Sequence, residues 1–419
     1  MKRRGSIFKG RRLAAGVGVL ALGLALRCGG TTTGESRPVE PVDDAGKTSA
    51  AWCTGAMALS SSSQGDAVCI VKSDGSLWCW GVTACGSLGL TGTEFVTAPV
   101  AVPRDGLGSG VKSVSLGSST TCAVERSGVA ACWGNSLPWG ASPCSEMPTP
   151  TPISGLPNGI SAIATGYDHA CALSADESAW CWGTNTLGQL GDGTTVDRST
   201  AAPVIGLTSG VTAISTGVGD SCAVKTDGSL WCWGTNYDGQ LGDGTETTQT
   251  TPVPVFDMSS GVTGVSVGGN HTCAVKTDGS AWCWGYNGAG ELGDGTAEPI
   301  RLVPVPVKLA LGAKAVAAGY SHTCAIATDS TVWCWGDNRT GQLGSATEPC
   351  DGDLCSNPIP ILVSGLPSEV VSITAAHLWT CALERDGTVW CWGLNSDGQL
   401  GDGTLTTRSL PKRVLPCGE

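Results

Sequence analysis

Fourteen of the 21 cysteines fall into seven pairs with nine residues between the partners: Cys69/Cys79, Cys122/Cys132, Cys171/Cys181, Cys222/Cys232, Cys273/Cys283, Cys324/Cys334 and Cys381/Cys391. Cysteines so placed can oxidise to disulfides or hold a metal. Structural zinc sites use cysteines about two to four residues apart, which none of these pairs shows, so the spacing predicts disulfides and no metal ligand. Such bonds persist in oxidising compartments. Of the four histidines, His169, His271 and His322 stand two residues before a repeat cysteine, whereas His377 is out of that register. A histidine that recurs in register reads as a hydrogen-bonding member of the repeat, and His377 as the more open surface candidate. No nucleophile elbow, H-E-x-x-H helix or phosphate-cradling loop is present. The chain therefore reads as no enzyme, with no catalytic residue and no cofactor.

The elements that position these cysteines are short. In Ser221 to Thr245, SCAVKTDGSLWCWGTNYDGQLGDGT, two apolar runs flank Lys-Thr-Asp-Gly-Ser, the pattern of a β-hairpin. A three-residue loop with Gly228 left-handed puts Cys222 opposite Cys232, within reach of a disulfide. A two-residue Asp-Gly loop would put Ala223 there instead, so the first register is preferred. Both faces of such a hairpin are apolar, and stacked copies would cover them. Strands are expected at 211–215, 222–225, 230–233 and 252–256 in this repeat, with the proline-containing fourth strand outermost. Between the last two lies Gly-Gln-Leu-Gly-Asp-Gly-Thr, at Gly188–Thr194, Gly239–Thr245 and Gly398–Thr404, with Glu291 for Gln in Gly290–Thr296. It reads as a turn motif; calcium loops need more acidic oxygens at closer spacing.

The first 12 residues carry Lys2, Arg3, Arg4, Lys9, Arg11 and Arg12 without an acid, and Leu13 to Leu26 is apolar. A basic head before a short apolar core reads as an export signal over 1–28. Cys28 before Gly29-Gly30 is a candidate lipidation site, although Arg27 sits where lipoprotein signals want a small residue; cleavage near Ala25 and an uncleaved anchor stay open. Residues 29–50 read as a flexible tether, and 51–419 as the folded body. The net charge of −12 disfavours nucleic acid as a partner.

The string H-x-C-A-V-K-T-D-G-S-x-W-C-W-G-x-N-x-x-G-Q-L-G-D-G-T resembles the repeat of regulator of chromosome condensation, over Trp52 to Glu419. The second repeat departs most, lacking G-Q-L-G between Asn135 and Pro148. The resemblance implies an all-β, seven-bladed β-propeller with four antiparallel strands per blade, the blades falling near 51–104, 105–154, 155–206, 207–257, 258–308, 309–364 and 365–419. In such a ring Cys53 and Cys417 would flank the one missing connection and could seal it. Cys350 and Cys355 would close a local loop, and Cys85 and Cys144 are left for each other.

The same resemblance implies protein partners, since one eukaryotic member is an exchange factor for a small GTPase and secreted bacterial relatives include a β-lactamase inhibitor. Neither task carries over residue by residue, and export disfavours exchange activity. The expectation is an exported, non-catalytic protein-binding scaffold, monomeric, touching a membrane only through its N-terminal anchor. A carbohydrate-binding propeller is the alternative, with tryptophans as sugar platforms. The Asp-box of sialidases is a weaker likeness, because Asp and Gly are adjacent here and only four tyrosines, Tyr167, Tyr237, Tyr286 and Tyr320, are present. Tryptophans that recur in every repeat read as packing. Trp139, Trp379 and His377, and the irregular loops 83–97, 135–148 and 345–357, are the candidates for a binding surface.

Overall fold

A computed structural model describes residues 55–417, except 63–65, 84–85, 91–93, 104–105, 109, 135–146, 346–354 and 368. The expected tether, Cys28, Cys53, Cys85, Cys144, Cys350 and Trp139 lie outside the described residues.

The chain forms seven four-stranded antiparallel sheets, each made of four consecutive strands in sequence order. In the fourth sheet these are Val211–Thr216, Asp220–Lys225, Leu230–Gly234 and Gln249–Pro254. Cys222 lies opposite Cys232, Ala223 opposite Trp231 and Val224 opposite Leu230. Gly228 has φ +78°, and the Gly228 N–H donates to Lys225 O at 2.8 Å. The three-residue loop is therefore the one used.

The same register recurs in all seven hairpins. Each closes the disulfide that its cysteine spacing predicts: Cys69–Cys79, Cys122–Cys132, Cys171–Cys181, Cys222–Cys232, Cys273–Cys283, Cys324–Cys334 and Cys381–Cys391. All of these cysteines are buried. They are internal staples of the blades, and none presents a thiol or a contact to a ligand. Closing so short a loop stabilises by roughly 2–3 kcal/mol per bond in a chain-entropy picture.

The fourth strand begins three residues earlier than expected, at Gln249 rather than Pro252. It is the edge strand of its sheet, and its prolines Pro252 and Pro254 blunt that edge as they do in natural sheets that avoid pairing with other chains.

The first strands of successive sheets meet around the centre. The amide of Thr165 donates to Ser115 Oγ at 2.9 Å, that of Val267 to Ser215 Oγ at 3.1 Å and that of Ala318 to Ser266 Oγ at 3.0 Å. Ser61 and Thr374 hydroxyls join the first blade to the last in the same way. Trp80 of the first blade donates to Gln399 O of the seventh at 3.0 Å, and the Gly403 amide to Thr97 O at 2.9 Å. The sheets thus form a closed seven-bladed propeller, with no strand exchanged between its ends. Cys417 is disulfide-bonded; its expected partner, Cys53, lies outside the described residues. Cys355 is buried, and the expected Cys350 likewise lies outside them.

Candidate binding face

Four consecutive antiparallel strands give a blade two rims. One holds the turns between first and second strands together with the loops between third and fourth. The other holds the hairpin tips and the blade-to-blade connections. What each rim can do depends first on which polar groups are consumed in holding blades together.

The second tryptophan of W-C-W is fully buried in every blade where it is described. In the fourth to seventh blades its indole N–H crosses to the preceding blade: Trp233 to Gln189 O at 2.8 Å, Trp284 to Gln240 O at 2.8 Å, Trp335 to Glu291 O at 2.7 Å and Trp392 to Gln342 O at 2.9 Å. The acceptors all belong to the Gly-Gln-Leu-Gly loop, which is thus a blade-to-blade dock as well as a turn. Its last glycine is dictated by that contact. A Cβ on Gly242, at φ +69°, would sit 2.6 Å from Trp284 Nε1.

The loop is held from within. Asn236 is buried, donates from Nδ2 to Asp243 Oδ1 and to Thr245 and Thr247 carbonyls, and accepts from the Leu241 amide. Asp243 accepts from both the amide and hydroxyl of Thr245. In the seventh blade Asp402 is engaged by Asn395, Thr404 and Arg408. These aspartates serve the fold of their own loops, not a cation cage.

The three in-register histidines bridge blades. His169 Nε2 lies 2.8 Å from Ser221 Oγ, His271 Nε2 2.9 Å from Thr323 Oγ1 and His322 Nε2 2.9 Å from Thr380 Oγ1. Each hydroxyl donates its own proton to a loop carbonyl, Ser221 to Gln189 O, Thr323 to Glu291 O and Thr380 to Gln342 O. It must therefore accept from the imidazole, which fixes the proton on Nε2. Burial lowers these histidines from 6.5 to about 4, 3 and 4, with His322 further lowering His271.

Trp379 is a correction: it is fully buried and offers no binding surface. It stands two residues before Cys381, the place the histidines take in other blades, and so fills a blade junction. In the fourth blade that place is taken by Asp220. Burial holds its carboxyl well above the usual range, although the amides of Gly219 and Asp220 oppose the shift.

The first tryptophans of W-C-W are half-buried. Trp231 donates to Ser229 Oγ at 3.1 Å and Trp282 to Ser280 Oγ at 2.9 Å. Lys225 and Lys276 lie 6.0 and 5.3 Å from the two ring centroids. With the N–H taken and a cation over the ring, these indoles are poor sugar platforms.

The exposed tyrosines lie on the other rim, whereas Phe256, also exposed, follows a fourth strand on the hairpin side. All four tyrosines of the chain sit on that other rim: Tyr167 and Tyr320 in turns between first and second strands, Tyr286 at the end of a third strand and Tyr237 in the loop that follows one. They are 41, 41, 62 and 40% exposed. His377, half-buried in the corresponding turn of the seventh blade, meets Tyr320 edge-on with ring centroids 5.0 Å apart. The arginines of this rim are taken: Arg198 pairs with Asp192, Arg301 with Asp294, Arg339 with Asp337 and Arg408 with Asp402. Carboxylates remain. Burial and then Asp397 raise Asp66, burial and then Asp197 raise Asp168, and burial and then Glu246 raise Asp238. Like charges facing one another, opposed at Asp66 by His377, give this rim a negative potential.

The sequence matches the model of the RCC1-like domain over residues 21–313. It also matches models of the regulator of chromosome condensation (RCC1) repeat over 313–342 and 371–399, and over 329–383 and 386–418. Similar curated proteins include the ultraviolet-B receptor UVR8 of Arabidopsis thaliana, 33% identical over 54% of this chain and 51% of that protein. The mitochondrial RCC1 domain-containing protein RUG3 of the same plant is 34% identical over 44% of each chain. The chain thus spans about half the length of these relatives. Among solved structures, Prp20p of Saccharomyces cerevisiae superposes with TM-score 0.72 at 20% identity, over 82% of this chain and 87% of that one. Human WBSCR16 gives 0.71 at 21%, over 81% and 93%. Repeats, blade geometry and matched length agree: this chain belongs to the regulator of chromosome condensation repeat family.

Proposed function

We propose that this protein is an exported, non-catalytic binding platform that engages a protein partner through the tyrosine rim. The observation that carries the reading is the placement of all four tyrosines, exposed, on one rim. Tyrosine supplies large contact area at low conformational cost and is enriched among the residues that dominate binding energy. The carboxylates beside them favour a partner with a basic surface. Seven buried disulfides support an oxidising compartment. Prp20p, which shares the fold, has binding properties toward Gsp1p and histones, and both are proteins.

The test is capture from the envelope and medium of the source cell by the oxidised full chain, beside a Tyr237→Ser/Tyr320→Ala variant. A protein retained by the wild type and lost about 30-fold or more by the variant, with unchanged melting of the variant, is the expected result. Retention that is identical in both, or no retention of any protein, would remove the reading.

A further inference from the structure

At the junction between the fourth and fifth blades the place of the bridging histidine belongs to a shorter acid. In three other junctions an imidazole donates Nε2–H to a hydroxyl of the next blade, whose own proton is committed to a loop carbonyl. Here the residue in that register, two before Cys222, is Asp220. The hydroxyl side is kept: Thr272 Oγ1 of the fifth blade donates to Gln240 O at 2.9 Å, which leaves its oxygen able to accept. The carboxyl takes the near half of the imidazole's seat. A Cβ on Gly217 would lie 2.8 Å from Asp220 Oδ1, as one on Gly166 would lie 3.0 Å from His169 Nδ1. Aspartate has no counterpart to the far ring atoms, Cε1 and Nε2, and does not reach Thr272. Asp220 is 1% exposed, and among the described residues neither carboxyl oxygen has a hydrogen-bond partner. The amides of Gly219 and Asp220 approach the carboxyl without completing such a bond, and no charged side chain is among the groups that act on it.

We propose that one water molecule is built into this junction, accepting a hydrogen bond from the Asp220 carboxyl and donating one to Thr272 Oγ1. The demand comes from the carboxyl, because a buried polar group left unpaired costs more than a made hydrogen bond contributes. Space agrees. The two absent ring atoms correspond to about the room of one water, and water joins polar groups too far apart for a direct bond. Chemistry agrees as well: burial keeps the proton on the acid, and no neighbouring cation competes for its charge. The water then does for Thr272 what Nε2–H does for Ser221, Thr323 and Thr380. The seam is joined in the order Asp220, water, Thr272 and Gln240 O.

The test uses the oxidised full chain and two variants. Asp220→His supplies the whole ring and should release one long-lived buried water, counted by magnetic relaxation dispersion of the water oxygen. Asp220→Asn keeps the shape and cannot ionise. Infrared difference spectra of wild type minus Asp220→Asn at neutral pH should show a protonated-carboxyl band. An acid protonated in the native chain and ionised in the unfolded one supports folding below the ordinary carboxylate range and loses that support as pH rises. Asp220→Asn should therefore gain on wild type by about tenfold in the folding equilibrium per pH unit above that range, until the native acid gives up its proton. A buried-water count that Asp220→His leaves unchanged overturns the proposal. So does a wild-type carboxyl that shows no protonated band and a stability difference from Asp220→Asn that is flat with pH. Neither result bears on the tyrosine rim, because Asp220 and Thr272 are both buried.

Discussion

At the scale of single residues, the junctions differ by substitutions that change charge while keeping shape. Glu291 occupies the place of Gln189, Gln240, Gln342 and Gln399, and it is buried. One oxygen accepts from the Ala289 amide at 2.9 Å, as the glutamine oxygens do from their loops. Burial raises its carboxyl from 4.5 to about 7, against two backbone amides and with Asp337 adding repulsion. A carboxyl raised on folding favours the native state below its unfolded value and loses that contribution as pH rises through the folded one. Glu291→Gln should therefore gain stability over the wild type between pH 4.5 and 7 and level off above, by up to about 3 kcal/mol. Denaturant midpoints at pH 4.5, 6 and 8 measure this; a difference that does not change with pH would show that the carboxyl does not titrate in that window. His322 has the opposite sense. Lowered from 6.5 to about 4, it supports the native state above pH 6.5 and loses that support as pH falls toward 4. The stability advantage of wild type over His322→Gln should accordingly shrink by about 3 kcal/mol from pH 7 to pH 4, and a constant advantage would mean that folding does not lower the proton affinity of this imidazole.

At the scale of elements, the hairpin was legible because everything that fixes it is local. Period-two alternation, a left-handed glycine and a pair of cysteines admit one register, and Cys222 opposite Cys232 follows. The fourth strand was less legible. Its place depends on ladder bonds to the third strand, which proline placement does not reveal, and it begins at Gln249. The Gly-Gln-Leu-Gly loop reads as a turn from its composition, but its partner, the next blade's tryptophan, is 44 residues away in Gln240 to Trp284. Trp379 looked irregular only because its side chain is; its position two before Cys381 is the histidine register, and that signal was available. The tyrosines carried little repeat signal: Tyr167 and Tyr320 share one register, two residues before a histidine, but Tyr237 and Tyr286 each stand at a place of their own. The loop's inter-blade role is tested by Gly242→Ala. The new Cβ meets the Trp284 indole at a φ of +69°, so backbone strain and displacement of a buried hydrogen bond act together. A loss of about 2–4 kcal/mol is expected, whereas Gly206→Ala, with the same sign of φ and open space around it, should lose only about 1 kcal/mol. Chemical denaturation of the two variants compares them directly, and equal losses would reduce the loop to a turn.

At the scale of the whole molecule, the two rims are chemically distinct in a way that single blades do not show. Lys72, Lys225 and Lys276 end second strands, and Lys112 and Lys314 begin first strands, so all five stand at the hairpin rim. Lys308 and Lys412 lie at or just beyond the fourth strands, on the outer wall. Among the described lysines only Lys308 reaches a loop between third and fourth strands, its amine lying beside Gly295. The propeller therefore largely sorts two reactive side-chain classes onto different surfaces, and a group-selective reagent becomes a face-selective one. Acylating the lysines removes cations from the hairpin rim and the wall, makes the molecule more acidic, and leaves the proposed partner's contact surface intact. Nitrating the tyrosines lowers the phenol's proton affinity and adds bulk where contact is made. A partner with a basic surface should bind the acylated protein as well as or better than the native one, the added negative charge aiding encounter at low salt. It should lose most of its affinity for the nitrated form. The measurement is the dissociation constant of the captured partner for native, acylated and nitrated protein at two ionic strengths. If acylation abolishes binding and nitration spares it, the partner sits on the hairpin rim, and the tyrosine rim is ordinary surface.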